Sequence, residues 1–168
     1  PKKTLELRVD ANGGFGFDEA KIILQELADL EIHSIEQPIK AGNLDQMEML
    51  CNTTPTPIAL DEELIGILDF DAKRELLEKI NPQYIILKPS LIGGFSGSDE
   101  WISLAESKQI GWWITSALES NIGLNAIAQY TFSKNPKIPQ GLGTGGLFTN
   151  NIPAPLLLNG DQLSMKKA

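Results

Sequence analysis

The sequence predicts an α/β fold of repeated βα units forming part of a (β/α)8-type barrel, and three observations carry that prediction. Short apolar stretches alternate with helix-periodic ones along the chain. The residues that end the strands recur at a nearly fixed interval: Asp10 to Glu36 is 26 residues, Glu36 to Asp61 is 25, Asp61 to Lys88 is 27, Lys88 to Ser116 is 28 and Ser116 to Gly143 is 27. Right-handed crossovers would carry all of these ends to one rim, where barrels place their chemistry. Six units fit in 168 residues. An open parallel barrel exposes two strand edges, which natural proteins avoid. The chain is therefore read as one domain, 1–168, corresponding to roughly strands 3 to 8 of a larger barrel whose first strands precede Pro1.

Taken in order, Leu5, Leu7 and Val9 alternate with polar residues and end in Asp10 and the turn Ala11-Asn12-Gly13-Gly14. Asp18 reads as an N-cap, with Ala20, Ile23, Leu24, Leu27 and Leu30 following at helical spacing. A short strand at Ser34-Ile35 ends in Glu36-Gln37-Pro38, and Asn43 caps a helix carrying Leu44, Met47 and Leu50. Pro57-Ile58-Ala59-Leu60 ends in Asp61-Glu62-Glu63, and the helix holding Leu76, Leu77 and Ile80 stops at Asn81-Pro82. Tyr84-Ile85-Ile86-Leu87 is apolar on both faces, as a doubly covered parallel strand is, and Pro89 ends its pairing with Lys88 at the rim. Ser98-Asp99-Glu100 opens a helix with Trp101, Leu104 and Ala105. Gly111-Trp112-Trp113-Ile114 is a fifth strand ending in Thr115-Ser116. Residues 121–131 are helical by pattern, Gly141-Leu142-Gly143-Thr144 is a weak strand, and the tail from Pro153 reads as irregular.

A formal charge of −8 argues against nucleic acid as a partner and suits a site that holds a cation. The one cysteine, Cys51, excludes a disulfide framework and fits a reducing cytoplasm. No apolar run approaches the roughly 20 residues that cross a bilayer, so no membrane partner is expected.

The rim carries Asp10, Glu36, Asp61 and Lys88 in chain order. Each acid alone has a plain reading, as a turn residue, a loop residue or a helix cap. Together on neighbouring strand ends they would repel, and a hard divalent cation resolves the repulsion while leaving coordination positions open. Lys88 at a strand end can equally be a surface lysine, but an interior ammonium needs a carboxylate partner.

Val9-Asp10-Ala11-Asn12, Ile35-Glu36-Gln37-Pro38, Leu60-Asp61-Glu62-Glu63 and Leu87-Lys88-Pro89 resemble the successive motifs of the enolase superfamily, muconate-lactonizing subgroup. Within it, the run from Ile114 through Ser116 and Glu119 to Gly123, with Gly141-Leu142-Gly143-Thr144, is most similar to the o-succinylbenzoate-forming lyases. The resemblance implies Mg²⁺, with Mn²⁺ as a substitute, bound by Asp10, Glu36 and Asp61, with Asn12 and Glu62 orienting those ligands. It implies that Lys88 faces a small-molecule carboxylate substrate whose distal end meets Thr115, Ser116, Gly141 and Gly143. The implied reaction is dehydration of 2-succinyl-6-hydroxy-2,4-cyclohexadiene-1-carboxylate to o-succinylbenzoate in menaquinone biosynthesis, through proton removal next to a carboxylate. In the resembled enzymes the base is a lysine of a second-strand Lys-x-Lys motif, and an N-terminal domain caps the site. Lys2 and Lys3 lack that context, so the chain alone is expected to be inactive; the oligomeric state is left open.

Two rivals stand beside this reading. A dipeptide epimerase or cycloisomerase of the same subgroup would keep the metal site, but such epimerases carry Asp-x-Asp where this chain has Gly141-Leu142-Gly143. A phosphate-binding barrel would use the Gly93-Gly94 and 143–146 loops. Gly141-x-Gly143-x-x-Gly146 also matches a dinucleotide fingerprint, yet Pro153 and Pro155 interrupt any helix after it. His33 reads as a solvated residue, and Trp101, Trp112 and Trp113 as packing between helices and barrel.

Overall fold

The computed structural model describes residues 5–143 and 147–166. Five strands, β1 (Arg8–Asp10), β2 (Ser34–Glu36), β3 (Ile58–Leu60), β4 (Tyr84–Leu87) and β5 (Gly111–Ile114), form one parallel sheet in chain order. Four crossover helices join them: α1 (Phe17–Asp29), α2 (Leu44–Thr53), α3 (Phe70–Ile80) and α4 (Gly94–Ser107). Helix α5 (Asn121–Ser133) follows β5, and an antiparallel hairpin, β6 (Leu156–Asn159) with β7 (Gln162–Met165), ends the described chain. The register pairs Asp10 with Glu36, so the first two acids sit side by side.

Local chemistry explains the elements. The Asp69 side chain caps α3 by accepting from the Ala72 N–H at 2.9 Å, and Asn81, left-handed at φ 50°, closes it. β3 is buried at every position because helices cover one face and the sheet's interior the other. The helix-side core gathers Leu24, Met47, Leu50, Leu77 and Trp101, whereas Ala59, Ile86 and Trp113 form a second cluster with Tyr84 and Ile138.

That second cluster lies inside a curve. In a flat sheet β1 and β5 would stand about 19 Å apart, four inter-strand spacings. Yet the Arg8 guanidinium of β1 lies 4.4 Å from the Trp113 ring of β5 and donates to the Pro139 carbonyl at 3.2 Å. The sheet has therefore curled far enough for its first strand to meet its last, as a partial barrel requires.

Several boundaries differ from the sequence reading. α1 begins at Phe17 with Gly16 as its cap, and Asp18 lies in the first turn; the Glu19 carboxylate accepts from the Gly16 N–H at 3.3 Å. α4 begins at Gly94, four residues before Ser98, because Gly93 at φ 99° turns the chain directly into it. Among the described residues the sixth unit contributes one isolated parallel bridge, Thr115 to Gly141, in a segment whose proline and glycine disfavour a longer ladder. The tail is a hairpin rather than irregular, turning at Gly160 with φ 61°. His33 is no free surface residue: Ser34 Oγ lies 2.9 Å from its Nδ1 and the Tyr84 ring 4.8 Å from its own. Lys2, Lys3, Thr144, Gly145 and Gly146 lie outside the described residues. No helix among those described is long and apolar enough to cross a membrane.

Candidate active site

The parallel ladder delivers the C-terminal ends of β1 to β4 to one rim. Asp10 is the exposed last residue of β1, Glu36 the half-buried last residue of β2, and Asp61 follows β3 fully buried. Lys88 follows β4, where Pro89 ends the ladder and opens a 3-10 turn. Its ammonium hydrogen-bonds Asp61 Oδ2 and lies 3.9 Å from Glu36 Oε1. The structure thus brings Glu36, Asp61 and Lys88 together and leaves Asp10 beside them.

The electrostatics of the rim are lopsided. Burial, then the negative charges of Asp10 and Asp61, push the Glu36 carboxyl up to about 8. Burial works against the Lys88 ammonium, but the hydrogen bond and charge of Asp61, with Glu36 and Glu62 behind them, hold it above the ordinary lysine value. Burial, followed by the Asp61 charge, also raises Glu62, whose buried Oε2 has no hydrogen-bond partner. Among the described residues, the carboxyl groups of Asp61, Glu36 and Glu62 therefore act on one ammonium, with Asp10 adding its charge beside Glu36.

This donor set fits a hard divalent cation. Asp10, Glu36 and Asp61 supply only oxygen donors, and an orphaned carboxylate oxygen and a strongly repelled carboxyl mark where positive charge is wanting. As the side chains stand, no group of three or more His, Cys, Asp and Glu among the described residues is arranged for coordination. Asp61 faces the Lys88 ammonium instead, and Asp10 Oδ1 accepts from the Asn12 N–H at 2.8 Å. Asn12 thus orients Asp10 through its backbone.

On the β5 side of the rim, Thr115 adjoins Lys88, its N–H bonding the Leu87 carbonyl at 2.9 Å. The Thr115 hydroxyl donates to the Gly141 carbonyl at 2.6 Å, and Ser116 is buried. A Cβ on Gly141 would stand 2.7 Å from Thr115 Oγ1, so only glycine allows this approach. Gly143 meets nothing within 4 Å that a Cβ would strike.

Two polar residues behind the rim were not singled out from the sequence. Gln37 is fully buried, and its Oε1 accepts from the Asp61 N–H at 3.2 Å. The buried Glu63 carboxylate accepts from the Gly42 N–H at 3.0 and 3.1 Å. The available signal was their position, one and two residues past a rim acid, in segments too short to solvate them.

Residues 1–146 match the model of the family described as enolase C-terminal domain-like. The chain belongs to that family. Among its enolase-like relatives is the o-succinylbenzoate synthase of Desulfotalea psychrophila, 53% identical over 161 residues, covering 96% of this chain and 44% of that protein. The L-Ala-D/L-Glu epimerase of Bacillus subtilis is 29% identical, over 77% of this chain and 35% of that enzyme. The crystal structure of MenC from Desulfotalea psychrophila superposes with a TM-score of 0.93 at 52% identity, covering 97% of this chain and 46% of that one. A muconate cycloisomerase variant superposes at 0.84 with 27% identity, over 96% of this chain and 45% of its own. This enolase-type chain therefore spans under half the length of the relatives it matches, and its fold is a partial barrel.

Proposed function

We propose that this chain is the C-terminal barrel portion of a cytoplasmic o-succinylbenzoate synthase, a lyase that dehydrates 2-succinyl-6-hydroxy-2,4-cyclohexadiene-1-carboxylate. The observation that carries the enolising chemistry is the Lys88 ammonium set against Asp61 and Glu36 at the rim. The likeness to an o-succinylbenzoate synthase across 96% of the chain supports the substrate, against 77% at lower identity for the epimerase.

Asp10, Glu36 and Asp61 would hold Mg²⁺ or Mn²⁺, which when bound supplies Lewis-acid stabilisation of charge developing on the substrate carboxylate. Lys88, kept cationic by its acidic neighbours, places a second positive charge beside the same carboxylate as the adjacent proton leaves. Its positive charge makes it a poor proton acceptor, and proton removal is assigned instead to the second-strand lysine of the resembled enzymes, which is not among Asp10, Glu36, Asp61 and Lys88. The proton and the departing ring hydroxide together make one water, and the ring becomes aromatic. Ser116 and the Thr115–Gly141 bridge form the adjoining wall, where the succinyl carboxylate would lie.

The experiment is divalent-ion titration of the 168-residue chain alongside assay of the diene. The chain is expected to bind Mn²⁺, to lose that binding in Asp61→Asn, and to show no turnover by itself. Binding unaffected by Asp10→Asn, Glu36→Gln and Asp61→Asn would refute the metal site, and turnover by the chain would refute the assignment of the base. An epimerase is the second reading; epimerisation of the Glu centre of Ala-Glu by the reconstituted enzyme would favour it.

A further inference from the structure

We propose that Gln37 is the positioning residue of this rim, a clamp that fixes Glu36, Asp61 and the loop after Asp10 relative to one another. The inference rests on the metal reading above. In a parallel ladder, a residue whose N–H bonds one neighbour-strand carbonyl offers its own carbonyl to the N–H two residues further along that strand. The Gln37 N–H bonds the Ala59 carbonyl at 3.0 Å, so its carbonyl should receive the Asp61 N–H. It does not. Gln37 has φ 38°, a left-handed conformation rare for a residue with a side chain and disfavoured before proline.

That turn sends the Gln37 carbonyl towards β1 instead, where it accepts from the Gly13 N–H at 2.7 Å. The vacated place is filled by Gln37's own side chain, whose Oε1 accepts from the Asp61 N–H at 3.2 Å. Its Nε2 donates to the Ile39 carbonyl at 3.0 Å, with Glu63 Oε1 at 3.5 Å behind it. One buried residue therefore ties the loop of the first acid, follows the second directly and holds the backbone of the third. Glutamine suits this task because one planar amide carries an acceptor and a donor pointing opposite ways.

Another glutamine shows what a merely structural clamp looks like. Gln83 accepts from the Ile58 N–H at 3.0 Å and donates to the Cys51 carbonyl at 3.1 Å, at the opposite end of β3 and away from the acids. It is the natural control.

The test compares the wild-type chain with Gln37→Met and Gln83→Met, following Mn²⁺ binding by the electron paramagnetic resonance of the free ion and amide exchange by NMR. Gln37→Met should weaken Mn²⁺ binding by about 10- to 100-fold, the loss usual when a group orienting a metal ligand is removed. Exchange of the Asp61 amide should accelerate. Gln83→Met should lower the unfolding midpoint without moving Mn²⁺ affinity. Should Gln37→Met not fold, Gln37→Asn keeps the amide, falls one methylene short and should show the same loss. Wild-type affinity in the folded Gln37 variant, or an equal loss in Gln83→Met, overturns the clamp. A wild-type chain that takes up no Mn²⁺ refutes the metal reading instead, and the Asp61 amide then decides the clamp alone: unchanged exchange in the Gln37 variant overturns it.

Discussion

Replacing Glu36 by glutamine should stabilise the metal-free chain at alkaline pH, and the size of the effect follows from the rim. Burial and the charges of Asp10 and Asp61 raise the folded-state carboxyl from 4.5 to about 8. A carboxyl raised on folding contributes stability that is present below its unfolded value and is lost as pH rises through the folded one. Between pH 5 and pH 9 that linkage removes about 4 kcal/mol from the wild type, at 1.36 kcal/mol for each unit of displacement. Glutamine keeps the shape and never ionises, so Glu36→Gln should match the wild type near pH 5 and exceed it by about that amount at pH 9. For a chain of this length the difference corresponds to roughly 8–16 °C in the unfolding midpoint. Thermal unfolding by circular dichroism across the range reads it directly, and millimolar Mn²⁺ should remove most of the penalty in the wild type but little in the variant. A variant less stable than the wild type at pH 9, or a difference that does not change with pH, would show that Glu36 is not held against its neighbours' charge.

Three further outcomes test the packing behind the rim. Cys51 is buried in α2 and burial pushes its thiol up to about 12, so a disulfide reagent at pH 8 should label it only as fast as the chain unfolds; immediate labelling of the native chain would contradict the packing. Gly97→Ala should cost roughly 3 kcal/mol or more in urea unfolding, because its Cβ would stand 2.2 Å from the Ile92 carbonyl oxygen and only backbone movement can relieve that. Lys73 is fully buried, with Nζ 2.7 Å from Glu100 Oε2 and 3.3 Å from the Gly97 carbonyl. Lys73→Met keeps the stem and lets the partly exposed Glu100 rehydrate, so it should cost about 1–2 kcal/mol, whereas Lys73→Ala also opens a cavity and should cost roughly 3 kcal/mol. Equal costs would mean that the charge rather than the stem holds α3 to α4.

The repeat was legible because a βα unit imposes a length, and strand ends must fall on one rim whatever fills the helices. That is why Asp10, Glu36, Asp61 and Lys88 were placed in order from spacing alone. Boundaries were less legible where glycine decides them: Gly16 and Gly93 set the starts of α1 and α4 by backbone conformation, while the sequence offered better side-chain caps at Asp18 and Ser98. The β6–β7 hairpin is hard to read from sequence because Pro153 and Pro155 directly precede the strand pair. Gln37 and Glu63 escaped for another reason. Their role depends on which backbone groups the curled sheet leaves without a ladder partner, and no periodicity in the sequence encodes that.

The same curvature that hides those residues accounts for the cost of the site. Strand ends in a flat sheet would spread their acids along an edge open to water, where each could ionise without opposing the next. Curling the sheet until Arg8 meets Trp113 converges those ends and takes Asp61 out of solvent. Among the described residues the chain meets the resulting repulsion with one ammonium, Lys88, against Asp61, while burial and the neighbouring charges keep the Glu36 carboxyl raised above its ordinary range. A rim built only for stability would have neutralised its acids with further cations, as Lys73 does for Glu100 elsewhere in this fold. That the described rim gathers Asp10, Glu36, Asp61 and Glu62 with Lys88 as their counter-charge is the physical reason to regard it as a place kept for a cation and an anionic substrate.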